Sequence, residues 1–234
     1  MAGYRDGPAH GARGASRRGA LMPVITISRL YGSGGSEVAE RVANLLGWSL
    51  FDNSMIEKIA EQSGLSLAEV TAQDERVPSM VERLASALSL GSPEVMPPVP
   101  AGPIETTEER IVAVTRRVIE EAVLTGPAVF VGRGAQCLLA ERSDALHAFC
   151  FAPRGALRRY AMDNFGLDAA EADHKIGEMN KQREQYVKRH WNRNWLALEN
   201  YHLCVNTAWL GIDGAADQVV DAAQRQFRLQ TTGR

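Results

Sequence analysis

With 234 residues, 45% of them apolar and 23% charged, the chain has the balance of a globular protein and room for one α/β domain with a small insertion, two full domains being a tight fit. Its formal net charge of -2 gives no general attraction to nucleic acid or anionic membrane, so any polyanion must be held by a local cluster of basic side chains, which suits small phosphorylated ligands better than DNA. Cys137, Cys150 and Cys204 are odd in number and contain no Cys-x-x-Cys pair, which speaks against a disulfide framework or zinc site and sets a reducing cytoplasm as the expected location.

Residues 1–22 are expected to form a disordered tail. It carries Arg5, Arg13, Arg17 and Arg18 against one acid, Asp6, and has no apolar segment of the signal-peptide kind. An organelle transit sequence is the alternative, and Met22, just before the first strand, is an alternative start. No apolar run approaches the roughly 20 residues that span a bilayer. Residues 23–234 are expected to form a single domain.

Val24 to Ser28 is a β-branched run. After a Gly/Ser turn, Val38, Ala39, Val42, Ala43 and Leu46 repeat at helical spacing and stop at Gly47. Trp48 to Phe51 predicts a second strand ending at Asp52, and Met55, Ile56, Ile59 and Ala60 begin a helix that closes near Gly64. Ser66 with Glu69 and Thr106 with Glu109 are possible capping boxes. Between them five of the ten prolines fall in Pro93 to Pro103, which predicts a flexible Pro-rich loop near 90–105. A helix from about Thr107 to Leu124, a strand Ala128 to Val131, a short helix near Ala135 to Ala140 and an apolar strand Leu146 to Ala152 follow. Two polar helices between about Gly155 and Arg189, a strand Tyr201 to Val205 and a helix Asp213 to Phe227 complete the chain. Short apolar strands alternating with helices predict a parallel sheet covered on both faces, with ligands at the carboxyl ends of the strands.

The segment Ser28-Arg29-Leu30-Tyr31-Gly32-Ser33-Gly34-Gly35-Ser36 lies between the first strand and the first helix, where a phosphate loop belongs. Glycines let successive backbone N–H groups converge, and the positive end of the following helix adds to the field. Laid on G-x-x-x-x-G-K-[ST], the segment keeps Gly34 and Ser36 but has Arg29 for the first glycine and Gly35 for the lysine. The alternative is a turn that merely joins strand to helix. A dinucleotide fingerprint fails, because Glu37 stands where glycine or alanine is required.

Four distant segments read together carry a family likeness: ITISRLYGSGGSEVAERVANLLGWSLFD, VFVGRGA, FAPRGALRRY, and NKQREQY followed by YHLCVNTAWLG. In order and spacing they resemble the cytidylate kinase-like family over about Val24 to Phe227. The resemblance implies a three-layer P-loop kinase fold with a five-stranded parallel sheet, a helical acceptor-binding insertion and a mobile lid. It implies ATP-dependent phosphoryl transfer to a nucleoside monophosphate, CMP or dCMP foremost, with Mg²⁺. Carried over by position, Tyr31, Gly32, Ser33, Gly34, Gly35 and Ser36 would surround the donor triphosphate, the Ser36 hydroxyl touching the metal. Asp52, Gly132, Arg133 and Asn180 would bind the acceptor, although helix capping is an equal reading of Asp52. Arg158 and Arg183 match arginines of the lid and of the segment after it; Arg159 reads more simply as surface charge.

Phosphoryl transfer needs alignment and positive charge more than covalent help, so arginines from separate segments are the expected apparatus and no general base is needed. Three departures from the cytidylate kinase pattern stand out: Gly35 replaces the loop lysine, a replacement the cytidylate kinase-like family shares, Asn180 stands where an aspartate is expected, and Ser36 replaces a commonly basic residue. Losing that lysine costs several kcal/mol of transition-state stabilisation unless another cation takes its place, and Arg29 is the nearest one. The alternatives are a binding module that kept the fold and lost catalysis, and a kinase of another small acceptor. Trp191, Trp195 and Lys188-Arg189-His190 read as packing after the lid rather than a nucleic-acid surface, and the histidines show no metal spacing.

Overall fold

A computed structural model describes residues 22–52, 55 and 107–229. The tail, the helix closing near Gly64, the caps at Ser66 and Thr106, the proline-rich loop and the acceptor-binding insertion lie outside the described residues.

Strand β1 (Val24–Arg29) is the centre of the sheet because its side chains are apolar or small on both faces. Every residue from Val24 to Ser28 is buried. It pairs in parallel with β3 (Ala128–Val131) on one side and β4 (Ala145–Phe151) on the other. β2 (Ser49–Phe51) lies outside β3 and β5 (Leu203–Asn206) outside β4, giving the all-parallel order β2-β3-β1-β4-β5. Period-two alternation sorts the core into two layers. Ile25, Ile27, Val129, Val131, Ala148 and Cys150 pack against α1 (Gly35–Leu46) and α6 (Thr207–Phe227). Val24, Phe51, Ala128 and Phe130 face α2 (Thr107–Thr125) and α3 (Ala135–Leu138) on the other side.

Helix α1 buries Val38, Ala39, Val42 and Ala43, the stripe its sequence predicts; a buried Val contributes about 1.5–3 kcal/mol. It ends in a Schellman motif: Trp48 N–H donates to Ala43 O (2.9 Å) and Gly47 N–H to Asn44 O (3.3 Å), with Gly47 at φ 66°.

The two polar helices are α4 (Arg154–Phe165) and α5 (Ala169–Trp191). α5 starts with a capping box: Asp168 Oδ1 accepts from Ala170 N–H (2.8 Å) and Glu171 N–H (2.9 Å), while Glu171 Oε2 accepts from Asp168 N–H (2.9 Å). The C-terminal part of α5 covers the α2 face of the sheet, where Val187, Trp195 and Tyr201 pack on Phe149. Trp195 meets the Phe149 ring edge-on at 5.6 Å, so this tryptophan is core, as expected.

The last helix begins earlier than the sequence predicts. Asn206 caps a turn at Thr207 by accepting from Ala208 N–H at 3.1 Å, and Gly211 (φ 71°, ψ 175°) then breaks the helix before its main run. Among the described residues no helix is long and apolar enough to cross a membrane.

Candidate phosphate loop and arginine cavity

In this sheet the chain leaves β1 toward β2 and leaves β4 toward β5 on the opposite edge. The carboxyl ends of β1 and β4 therefore flank the crevice in which open α/β sheets bind ligands. The segment Leu30–Gly34 occupies it.

Leu30 N–H continues the β1–β4 ladder to Cys150 O at 3.0 Å, and Ser33 closes a tight turn onto Leu30 O through its hydroxyl at 2.8 Å. Gly32 (φ 80°) and Gly34 (φ 67°) are left-handed, a conformation that costs a Cβ-bearing residue about 1–2 kcal/mol. Space adds a second reason: a Cβ on Gly32 would lie 2.6 Å from Leu157 O, and one on Gly34 would strike Ile212. Three elements thus hold the loop. α4 backs it with Leu157 and with Phe165, whose ring centroid is 5.3 Å from that of Tyr31; α5 accepts the Tyr31 N–H on Asn180 Oδ1 at 2.8 Å; α6 contributes Ile212.

Gly34 gives α1 no side-chain cap. Val38 N–H is the first to find a helical carbonyl, Gly34 O at 3.0 Å, so the amides of Gly35, Ser36 and Glu37 end the helix in the orientation that holds a phosphate. Ser36 is exposed in this first turn.

Beside the loop lies a cavity of about 450 Å³ into which Arg29, Arg133, Arg183 and Arg189 project, with Tyr186 and Trp195 among its walls and no carboxylate among its described lining residues. Arg29 ends β1, and Arg183 Nη1 donates to its carbonyl at 2.7 Å. Burial, with Arg183 and Arg133 nearby, brings the Arg29 guanidinium down to about 9; burial brings Arg183 down to about 10. Both stay charged at neutral pH, and the shifts mark cations crowded in a poorly solvated place, which an anion would relieve. Arg133 (φ 52°) is left-handed between Gly132 (φ 71°) and Gly134 (φ 69°). Such a non-glycine residue stores about 1–3 kcal/mol of strain, which the surrounding structure must hold; the other two left-handed non-glycine residues among those described, Asn192 and Arg228, are helix C-caps. Trp191 locks the run, since a Cβ on Gly134 would overlap its ring.

The structure therefore brings Arg29, Gly132, Arg133 and Arg183 to one cavity. Asn180 is spent on the loop backbone. Asp52 Oδ1 accepts from Met55 N–H at 2.8 Å, the capping geometry, while lying close enough to Arg29 to favour its charge. Arg158 points elsewhere, to Asp173 Oδ2 at 3.3 Å, and shares that carboxylate with Arg154 (3.1 Å to Oδ1). Sequence reasoning missed Arg189 and Tyr186, which lie with Arg183 on one face of α5 at helical spacing. Among the described residues no three His, Cys, Asp or Glu side chains converge as metal ligands.

A five-stranded parallel sheet of this order, with a glycine loop leading into an uncapped helix and an arginine-lined cavity beside it, defines a P-loop kinase fold. The chain belongs to the cytidylate kinase-like family, whose model matches residues 24–208. Among solved structures it is similar to an uncharacterized protein from Eubacterium ventriosum, with 19% identity and a TM-score of 0.61 over 87% of this chain and 99% of that one. It is also similar to shikimate kinase from Acinetobacter baumannii in complex with shikimate, with 13% identity and a TM-score of 0.46 over 90% and 96%. No curated protein matches the chain.

Proposed function

We propose that the protein transfers the terminal phosphoryl group of ATP to a nucleoside monophosphate, CMP or dCMP foremost. The observation that carries this is the cavity beside the loop, lined by Arg29, Arg133, Arg183 and Arg189 with no described carboxylate. Four cations in about 450 Å³ call for an acceptor that brings its own negative charge, as a phosphate monoester does. The preference for cytidine rests on the family alone.

ATP supplies the phosphoryl group, and a divalent ion supplies charge neutralisation on its phosphates. With no protein cage for such an ion among the described residues, the donor phosphates would carry it, and the Ser36 hydroxyl is the protein ligand we assign. The amides of Gly35 to Glu37 and the end of α1 orient the donor. Arg133 and Arg183 hold the acceptor phosphate by forked hydrogen bonds, which fixes one of its oxygens in line with the group to be transferred. Tyr186 and Trp195 exclude water from that side. Asp52, Gly132 and Asn180 complete the acceptor side as supports, and Arg158 reaches the transferring group when it leaves Asp173.

A second reading, a nucleotide-binding module without turnover, is favoured by Gly35 in place of the loop lysine. A coupled ADP-release assay with ATP, Mg²⁺ and a nucleoside monophosphate panel separates the two. Turnover with CMP or dCMP supports the kinase; a melting shift with ATP and no ADP from any acceptor supports the binding module.

A further inference from the structure

We propose that Arg29 is the cation of the phosphate loop, its guanidinium reaching the donor phosphates from β1 through the space a side chain at position 35 would fill, and meeting the acceptor from the same position. This rests on the kinase reading for its acceptor half alone. Gly35 is the starting point. Unlike Gly32 and Gly34 it has no positive φ, and as the first residue of α1 it sits where most residues are at ease, so conformation does not explain the missing side chain. Space does. A Cβ there would collide with Arg29 Cβ and would lie 3.0 Å from both Arg29 Cγ and Cys150 Cβ. The Arg29 stem therefore occupies the volume a lysine stem would need, and the arginine and the glycine form one exchanged pair.

Arg29 also lines the arginine cavity. Its Nε is buried and has no hydrogen-bond partner among the described residues; Arg183 and Arg133 disfavour its charge, and Asp52 favours it to a smaller extent. A cation kept partly buried among other cations is costly unless an anion completes the site. The two ends together place one guanidinium between the donor loop and the acceptor cavity, where charge develops as the bond from phosphorus to the leaving diphosphate breaks, its electron pair staying on that oxygen, and the acceptor oxygen bonds to phosphorus. The guanidinium gives hydrogen bonds in this step and no proton.

Arg29→Gln keeps most of the stem over Gly35 and removes the charge, separating packing from electrostatics. Its unliganded melting temperature should equal or exceed that of the wild type, because an uncompensated buried charge is removed, while its ATP Kd by calorimetry should rise tenfold or more and ADP release should fall roughly 100-fold or more. Gly35→Lys alone should lower the unliganded melting temperature through collision with Arg29. The double variant Arg29→Gly/Gly35→Lys, which removes the Cβ at 29 that a side chain at 35 would strike, should recover stability over Gly35→Lys and bind ATP more tightly than Arg29→Gly. ATP affinity unchanged in Arg29→Gln, or a double variant no better than Arg29→Gly in ATP affinity, would overturn the proposal. If the wild type binds ATP through Arg29 but releases no ADP with any acceptor, the donor contact stands and the kinase reading fails, so the two are told apart.

Discussion

The Arg183 guanidinium donates to the carbonyl oxygen of Arg29 across 2.7 Å, tying the middle of α5 to the last residue of the central strand. The bond fixes where β1 ends and holds Arg183 at the cavity wall at the same time. A lysine can supply the charge but lacks the rigid planar fork with which the guanidinium spans a backbone carbonyl and a phosphate. Arg183→Lys is expected to raise the KM for the acceptor and lower kcat by about 10- to 100-fold, with steady-state kinetics as the check. An unchanged kcat/KM for the acceptor would remove Arg183 from the site.

Gly134 and Gly177 offer a matched contrast. Gly134 is left-handed and its Cβ would overlap the Trp191 ring, whereas Gly177 lies inside α5 with nothing within 4 Å of a Cβ. Gly134→Ala is expected to destabilise by about 2 kcal/mol or more through strain and displacement of Trp191. Gly177→Ala is expected to stabilise by about 0.5–1 kcal/mol through helix propensity. Denaturant unfolding of both variants reads the two signs.

His147 is buried, with Thr26 Oγ1 2.8 Å from its Nδ1 and the His202 ring stacked 4.9 Å away. Burial foremost, and then His202, brings His147 down to about 4 from 6.5. The folded state thus binds fewer protons than the unfolded state between these values. Its contribution to stability is complete above about 6.5 and is lost progressively as pH falls to about 4, on the order of 3 kcal/mol in all. His147→Gln should flatten the stability profile in that window, measured by urea unfolding at several pH values; an unchanged slope contradicts this origin.

Arg158 and Arg154 share the Asp173 carboxylate at the surface. Exposed pairs of this kind contribute about 0–1 kcal/mol, so Arg158→Ala is expected to leave the melting temperature nearly unchanged. If Arg158 moves to the transferring group during turnover, the same variant lowers kcat by about tenfold or more. Comparing melting with single-turnover rates separates a surface pair from a residue used in the reaction.

Much of this site is legible in the sequence because its parts are local. A β-branched run, a glycine turn and a helical stripe ending at Gly47 identify the loop, and Gly132-Arg133 follows an apolar strand in the same manner. Arg189 is not legible that way. The sequence places it in a helix, but its place in the cavity depends on which face of α5 turns toward the carboxyl end of β1, which only the packing of α5 on the sheet fixes. Asn180 was visible as a position but not as the acceptor of the Tyr31 amide, a contact spanning 149 residues. The capping box at Asp168 has its signature in Asp-x-x-Glu and escapes a search confined to Ser and Thr. The glycine at 35 reads as a lost lysine in one dimension; only packing against Arg29 gives it a cause.

The most direct test of the account is ADP release with ATP, Mg²⁺ and CMP, dCMP, UMP, AMP or GMP, with Arg133→Ala beside the wild type. The account predicts turnover with the cytidine nucleotides and a loss of roughly 100-fold or more in Arg133→Ala. No turnover with any of the five, while ATP still raises the melting temperature, would contradict it.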